Sequence, residues 1–100
     1  MLPIIVSIKE SLHMIISPNY EVVDIADETL AVPVGETACI NKDIYAFSKA
    51  AGKLLHIMRN QITRDELVTY LISEYSIDEK TATSDVDKFI QSLENYGLIV

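Results

Sequence analysis

Three side chains in this sequence have the chemistry of a nucleophile and its base. Cys39 is the single cysteine, and His13 and His56 are the two histidines. A cysteine nucleophile needs an adjacent base to form its thiolate, yet neither histidine stands near Cys39 in the sequence or within a recognisable motif. Unpaired thiols are most often buried among apolar side chains. The sequence therefore predicts a buried, structural Cys39, and a His56 that is partly exposed or hydrogen-bonded.

Phosphate and metal sites lack the spacing that they need. Gly35, Gly52 and Gly97 stand alone, so no glycine-rich loop gathers backbone N–H groups around a phosphate. Asp85 and Asp87 are two residues apart, which places them on different faces of a helix, and the glycine and glutamate of a calcium loop do not follow them. We therefore expect no cofactor, no metal and no catalysis by this chain.

Length, charge and hydropathy predict a single domain that neither spans a membrane nor binds nucleic acid. The chain has 100 residues, 49% of them hydrophobic, and a formal net charge of -7, which repels polyanions. Acidic side chains outnumber Lys80 and Lys88 between residues 78 and 95, so this segment is no DNA-reading helix. No run approaches the roughly 18 apolar residues of a membrane span, and no basic residue precedes the apolar run 2–6 as in a signal peptide. With one cysteine and no disulfide, we expect a cytoplasmic protein.

The first half of the sequence has the period of strands. Residues 20–25 are rich in β-branched side chains, and a polar turn at 27–28 leads into a second strand at 29–34. Alternation places three apolar side chains on one face of that strand: Leu30, Val32 and Val34. Pro33 donates no ladder hydrogen bond and predicts a strand end. A polar connection then leads to a short third strand at 44–47.

The second half has helical spacing and three start signals. Ser48 and Asp78 are N-cap residues for a first and a third helix, Thr63 and Glu66 have capping-box spacing for a second, and Gly97 supplies a left-handed stop. Apolar stripes at intervals of three and four residues mark the three helices: Ala51, Leu54, Leu55 and Met58; Leu67, Val68, Leu71, Ile72 and Tyr75; Ala82, Val86, Phe89, Ile90 and Leu93. Packing the sheet against these helices buries both apolar faces, which predicts an α+β, winged-helix-like domain.

Five segments resemble the PqqD-like family in order and composition. They are LAVPVGE at 30–36, TRDEL at 63–67, YSID at 75–78, DVDKFI at 85–90 and YGLI at 96–99. The resemblance implies a three-stranded antiparallel sheet followed by three helices. It also implies a noncatalytic adaptor, or chaperone, that captures the leader segment of a ribosomally made, post-translationally modified peptide and presents its core to a modifying enzyme. It begins near residue 15, so we expect a peptide-binding domain at 14–100 and an N-terminal extension at 1–13.

The resemblance further implies where the leader binds. In this family the leader adds as a strand beside the third strand and lies in a groove closed by the third helix. An exposed strand edge fits that mode independently, because its unpaired N–H and C=O groups accept an extended peptide. The predicted peptide-binding residues lie on these two elements: Asp43, Ile44, Tyr45, Ala46, Phe47, Asp85, Lys88, Phe89, Ser92 and Leu93. The apolar members would line the groove, and Asp85 and Lys88 would read charge at its rim. For Phe89 and Leu93 the alternative is plain core.

Three questions stay open at the level of sequence. The sequence does not choose between a radical SAM enzyme and a leader peptidase as the expected modifying enzyme. The runner-up function is an acidic winged-helix scaffold or regulator that binds protein, with DNA the weaker option. Residues 1–13 have apolar spacing that fits either a helix or a strand. We hypothesise that they pair with a sheet edge in the monomer or in a strand-swapped dimer.

Overall fold

A computed structural model of the chain describes residues 13–100. The elements in chain order are β1 (Tyr20–Ile25), β2 (Glu28–Pro33), α1 (Glu36–Ile40), β3 (Tyr45–Phe47), α2 (Lys49–Ile57), α3 (Arg64–Tyr75) and α4 (Glu79–Tyr96). The strands form an antiparallel sheet in the order β1-β2-β3. The predicted α+β, winged-helix-like class, a three-stranded antiparallel sheet followed by three helices, is confirmed. Helix α1 is additional and lies in the predicted polar connection.

The predicted cap residues set where the helices begin and end. The hydroxyl of Ser48 accepts a backbone N–H at the start of α2, and the carboxylate of Asp78 does so at the start of α4. Thr63 and Glu66 form a reciprocal capping box at the start of α3. Gly97 ends α4 with φ 71, a left-handed conformation that glycine adopts without steric cost. Because β3 ends one residue before Ser48, this cap also fixes where the third strand gives way to α2.

The buried face of β2 is the opposite of the one that its apolar alternation suggests. Leu30 and Val32 share a face as predicted, but they are only half-buried, on the outside of the sheet. Thr29, Ala31 and Pro33 face the helices, with Thr29 6% and Ala31 1% exposed. The prediction of the core face was therefore wrong. Small residues occupy the inner face because α2 approaches β2 closely.

Gly52 allows that approach. A Cβ on Gly52 would overlap Thr29 Oγ1 and lie 2.6 Å from Thr29 Cβ, and Cβ cannot rotate away as the end of a long side chain can. Thr29 is itself held in place, because its hydroxyl donates to Asp24 Oδ1 at 2.7 Å. The seam between α2 and β2 can therefore pack closely only because position 52 carries no side chain.

Gly52→Ala tests this seam by the sign of its effect. Helix propensity alone favours alanine by about 1 kcal/mol inside a helix. The overlap with Thr29 reverses that preference, and we expect the free energy of unfolding to fall by about 1 to 3 kcal/mol, the usual cost of overpacking. Urea denaturation of the variant and the wild type measures the difference. A variant as stable as the wild type, or more stable, would show that the seam has room for a methyl group.

The core joins side chains of the sheet, the helices and the C-terminal segment. Its largest fully buried members are Leu55, Met58, Leu67, Leu93, Leu98 and Val86. Leu98 returns onto the core, because the segment after α4 pairs with the segment before β1 through an Ile16–Ile99 bridge. A Met14–Ile62 bridge continues this pairing toward α3. The described chain is thereby tied together at both of its ends.

Cys39 differs from its prediction. It is exposed on α1, a five-residue helix that contributes no buried side chain. The thiol is therefore not a core residue, because the connection that carries it lies on the surface instead of under the sheet.

The hypothesis about the N-terminal extension concerns residues 1–13, of which 1–12 lie outside the described residues. The division into an extension and a domain at 14–100 stays a prediction. Within residues 13–100, no helix combines the length and the apolar character that a membrane crossing needs.

Candidate functional site

The backbone of Ala46 points out of the sheet at the β3 edge. Successive residues of an antiparallel pair turn their N–H and C=O alternately toward and away from the partner strand. The backbone N–H of Tyr20 donates to the Ser17 carbonyl at 3.1 Å, so the backbone groups of Tyr20 point away from β2. By alternation, those of Val23, three residues later, point toward β2 and pair with Leu30. The backbone groups of Leu30 are thus used by β1 and point away from β3. Ala46 stands opposite Leu30, so its N–H and C=O face outward, and no group within residues 13–100 bonds to them.

Two aromatic contacts hold β3 against α4. The rings of Tyr45 and Tyr96 stack with centroids 4.3 Å apart and planes 14° apart. The rings of Phe47 and Phe89 meet edge to face at 6.2 Å and 76°. Tyr45 and Phe47 therefore point to the helical side of the sheet, while Ala46 between them is exposed. An extended chain laid along the β3 edge would run beside α4.

A groove of about 520 Å³ opens where β3 passes into α2. It is lined by residues of α2, of the C-terminal end of α3, of α4, and of the short segments before α2 and α4: Ser48, Ala50, Ala51, Leu54, Leu71, Tyr75, Ile77, Asp85, Lys88, Phe89 and Ser92. The apolar members form its floor, and Asp85 and Lys88, both exposed, stand at its rim. The Ser92 hydroxyl donates to the Lys88 carbonyl at 3.1 Å, which turns Ser92 back onto its own helix. Four of the predicted binding residues thus line one groove.

The remaining predicted residues fall outside the groove. Asp43 and Ile44 precede β3 in an exposed loop, where Asp43 N–H donates to Asn41 Oδ1 at 3.0 Å and Ile44 is 56% exposed. Leu93 is 0% exposed and belongs to the core, the alternative that the helical stripe left open. Phe89 has both roles, because it is 9% exposed, packs in the core cluster and reaches the groove.

The sequence reasoning missed the second wall of the groove. Tyr75, 38% exposed, reads as the last member of the α3 stripe, and nothing in the sequence indicates that it faces α2 and α4. Lys53 fixes this corner: its ammonium lies 5.7 Å from the Tyr75 ring centroid and 3.4 Å from Glu74 Oε1. The hydrogen bond to Glu74 raises the pKa of Lys53, so the ammonium stays charged. Tyr96 was missed too, because its stack on Tyr45 joins positions far apart in sequence.

Two other features of the surface lack the character of a peptide site. A concavity of about 680 Å³ on α4 is lined only by polar side chains and does not border β3. On another face of α2, His56 Nε2 lies 2.8 Å from Asp24 Oδ1, and this contact is the first cause of the lowered pKa of Asp24. His56 is hydrogen-bonded and partly exposed, as predicted. Within residues 13–100, no group of three or more His, Cys, Asp or Glu side chains is placed to hold a metal ion.

Comparisons with known proteins agree with this geometry. No curated protein matches the chain. A solved structure of TbiB1 in complex with the TbiA(beta) leader peptide matches with a TM-score of 0.71 at 20% sequence identity, over 85% of this chain and 93% of that one, and is similar in fold. The family described as Coenzyme PQQ synthesis protein D (PqqD) matches residues 36–99, which include α1, β3 and all three larger helices. The chain belongs to the PqqD family.

Proposed function

We propose that this protein binds the leader segment of a ribosomally made precursor peptide as a strand added to β3, and presents the peptide to a separate modifying enzyme. The observation that carries the proposal is the outward-facing, unpartnered backbone of Ala46 beside the α4 wall. A peptide in extended conformation supplies the complementary N–H and C=O groups whatever its sequence. The leader peptide bound to the similar TbiB1 supports the same class of ligand.

Specificity would come from side chains of the guest. Alternate residues of an added strand point to the helical side of the sheet, where the groove between α2, α3 and α4 begins. Its floor includes Leu54, Leu71 and Phe89, so it favours a large apolar side chain. Such a side chain leaves water on binding and contributes about 1.5 to 3 kcal/mol when it is fully buried.

Charge at the rim would set orientation more than affinity. Asp85 and Lys88 stand three residues apart on α4, on neighbouring positions of one helix face, and both line the groove. A guest with a cation near Asp85 and an anion near Lys88 would be favoured over the reverse arrangement. Exposed pairs of this kind contribute up to about 1 kcal/mol each, which salt reduces.

The role proposed for this chain is binding without catalysis. Its candidate site is built from a strand edge and apolar side chains. His56, which the sequence offered as a possible catalytic base, is hydrogen-bonded to Asp24 on another face of α2. Reaction chemistry would come from the modifying enzyme. The exposed free thiol of Cys39 supports a reducing, cytoplasmic compartment, where such thiols persist.

Direct binding tests the proposal. The probe is a fluorescently labelled peptide with the sequence of the leader segment of any short precursor-like reading frame that adjoins the gene of this chain, with a scrambled leader as the control. We expect saturable binding of the leader with one guest for each chain and no binding of the scrambled peptide. Equal binding of both peptides, or of neither, would contradict leader recognition. Binding of DNA that weakens steeply with salt would favour a regulator instead.

Ala50→Trp tests the groove separately from the strand edge. Ala50 is exposed and lines the groove, so an indole there would fill the space for the guest without entering the core. We expect the affinity for the leader to fall roughly tenfold or more, the value of one apolar side chain excluded from its pocket. The free energy of unfolding should stay within about 0.5 kcal/mol, as for other surface substitutions.

Ala50→Ser is the matched control, because serine keeps the groove open at the same position. Fluorescence anisotropy of the labelled leader gives the affinity, and urea denaturation gives the stability. Unchanged affinity in Ala50→Trp would show that the guest does not enter this groove.

A further inference from the structure

We propose that Arg59 closes the β1 edge of the sheet to strand addition, so that an added strand is accepted at β3 alone. The excluded strand includes β1 of a second copy of this chain. The inference therefore goes beyond leader binding, and its test needs no leader peptide.

The β1 edge would otherwise be the stronger strand acceptor. It has six residues, whereas β3 has three. Its sequence, YEVVDI, carries Val22, Val23 and Ile25, β-branched residues that favour pairing. A long edge strand of this kind attracts other strands unless the protein blocks it. Two copies could pair β1 antiparallel about Val22, which would place no like charges directly opposite one another.

Arg59 occupies the middle of this edge. The backbone of Val22 faces outward by the same alternation as that of Tyr20, and Arg59 Nη2 donates to the Val22 carbonyl oxygen at 2.7 Å. The short distance is that of a charge-assisted hydrogen bond. The guanidinium therefore takes the acceptor that an incoming strand needs, and it places a charged group where that strand would lie.

Neighbouring contacts hold Arg59 at the edge. Arg59 directly follows Met58, the C-cap of α2, and His56 one turn earlier bonds to both Asp24 carboxylate oxygens at 2.8 and 3.0 Å. The C-terminal end of α2 is thus fixed against β1 at two points. At the start of the strand, Tyr20 N–H is already bonded to Ser17. At β3, in contrast, no group within residues 13–100 bonds to the Ala46 backbone. The two edges of the sheet therefore differ: side chains and backbone bond to the β1 edge, and within residues 13–100 none bonds to Ala46 at the β3 edge.

Arg59→Met tests the inference, because methionine keeps an apolar stem and removes the donor. We expect the variant to gain one association step relative to the wild type, with a doubled mass in sedimentation velocity at concentrations where the wild type is unchanged. Loss of a charged hydrogen bond that competes with pairing corresponds to roughly a tenfold to hundredfold tighter self-association. Hydrogen exchange at the Val22 and Asp24 amides should slow with concentration in the variant.

Two controls separate this effect from charge and from misfolding. Lys80→Ala removes one positive charge from exposed α4 and should sediment as the wild type. Arg59→Lys keeps a donor and should restore most of the wild-type behaviour. Unchanged mass of Arg59→Met, or association without slower exchange at Val22 and Asp24, would overturn the inference. Because neither measurement uses a leader peptide, failure of the leader proposal leaves this result unaffected.

Discussion

Replacing Ala46 by proline is expected to abolish most strand addition while the sheet stays folded. The N–H of Ala46 takes no part in the β2–β3 ladder, because Ala46 stands opposite Leu30 at a position where the backbones turn away from one another. Proline removes that N–H and places its ring where the guest strand would lie. Edge strands tolerate proline when the missing N–H faces solvent. The substitution therefore removes the proposed binding group and little else.

The size of the effect follows from the group left unpaired on the guest. A carbonyl deprived of its hydrogen bond costs about 1 to 3 kcal/mol, which corresponds to roughly a tenfold to hundredfold loss of affinity, and the ring adds a steric term. Anisotropy of the labelled leader measures the loss, and the circular dichroism of the free variant checks the fold.

Ala46→Val is the matched control for this prediction. Valine keeps the N–H and favours strand conformation, so leader binding should stay near that of the wild type. Full binding by Ala46→Pro would place the guest away from the β3 edge, even if the groove variant Ala50→Trp still weakens it. The two substitutions thus distinguish backbone pairing from side-chain insertion.

Local signals in the sequence predicted the framework well. A cap depends on residues three apart, so Thr63 with Glu66 and the acceptor on Asp78 show where α3 and α4 begin without knowledge of the fold. Gly97 marks the end of α4 in the same way. The hairpin also follows from local pattern, although its turn falls one residue earlier than predicted, because Glu28 already belongs to β2. Alternation and capping depend on residues that are close in the sequence, so the elements that they predict do not depend on how those elements pack together.

Features that depend on packing were not predictable from single segments. The inner face of β2 carries Thr29 and Ala31 because Gly52 brings α2 close, and this pairing joins positions that no local period connects. Exposure of Cys39 depends on where α1 sits, not on the chemistry of a thiol. The Tyr45–Tyr96 stack is equally non-local.

For the candidate site, the sequence indicated the strand edge and one groove wall, and its residues stay a prediction until binding is measured. The strand at 45–47 and the exposed face of α4 follow from composition and period. Position in the helical stripe does not tell which apolar residue of α4 reaches the surface, since Phe89 and Leu93 occupy equivalent places one turn apart.

Leu93→Ala is the sharpest way to separate core from groove on α4. Leu93 is 0% exposed and lies in the same core cluster as Phe89. Truncation of a fully buried leucine leaves a cavity and costs about 2 to 5 kcal/mol, a large part of the stability of a domain of this size. We expect the free energy of unfolding to fall by that amount in urea denaturation, with Leu93→Met, which nearly conserves volume, losing less than about 1.5 kcal/mol.

Binding of the folded fraction then decides the role of this residue. Because Leu93 does not line the groove, the leader affinity of Leu93→Ala, corrected for the unfolded fraction, should equal that of the wild type. A corrected affinity that falls in parallel with that of Ala50→Trp would place Leu93 in the groove, one of the two positions that the sequence left open. Leader binding should also stabilise Leu93→Ala and wild type by the same increment at a given leader concentration, because a ligand that binds only the folded state adds RT ln(1 + [L]/Kd) to both. Unequal increments would mean that the cavity left by the leucine side chain has altered the site itself.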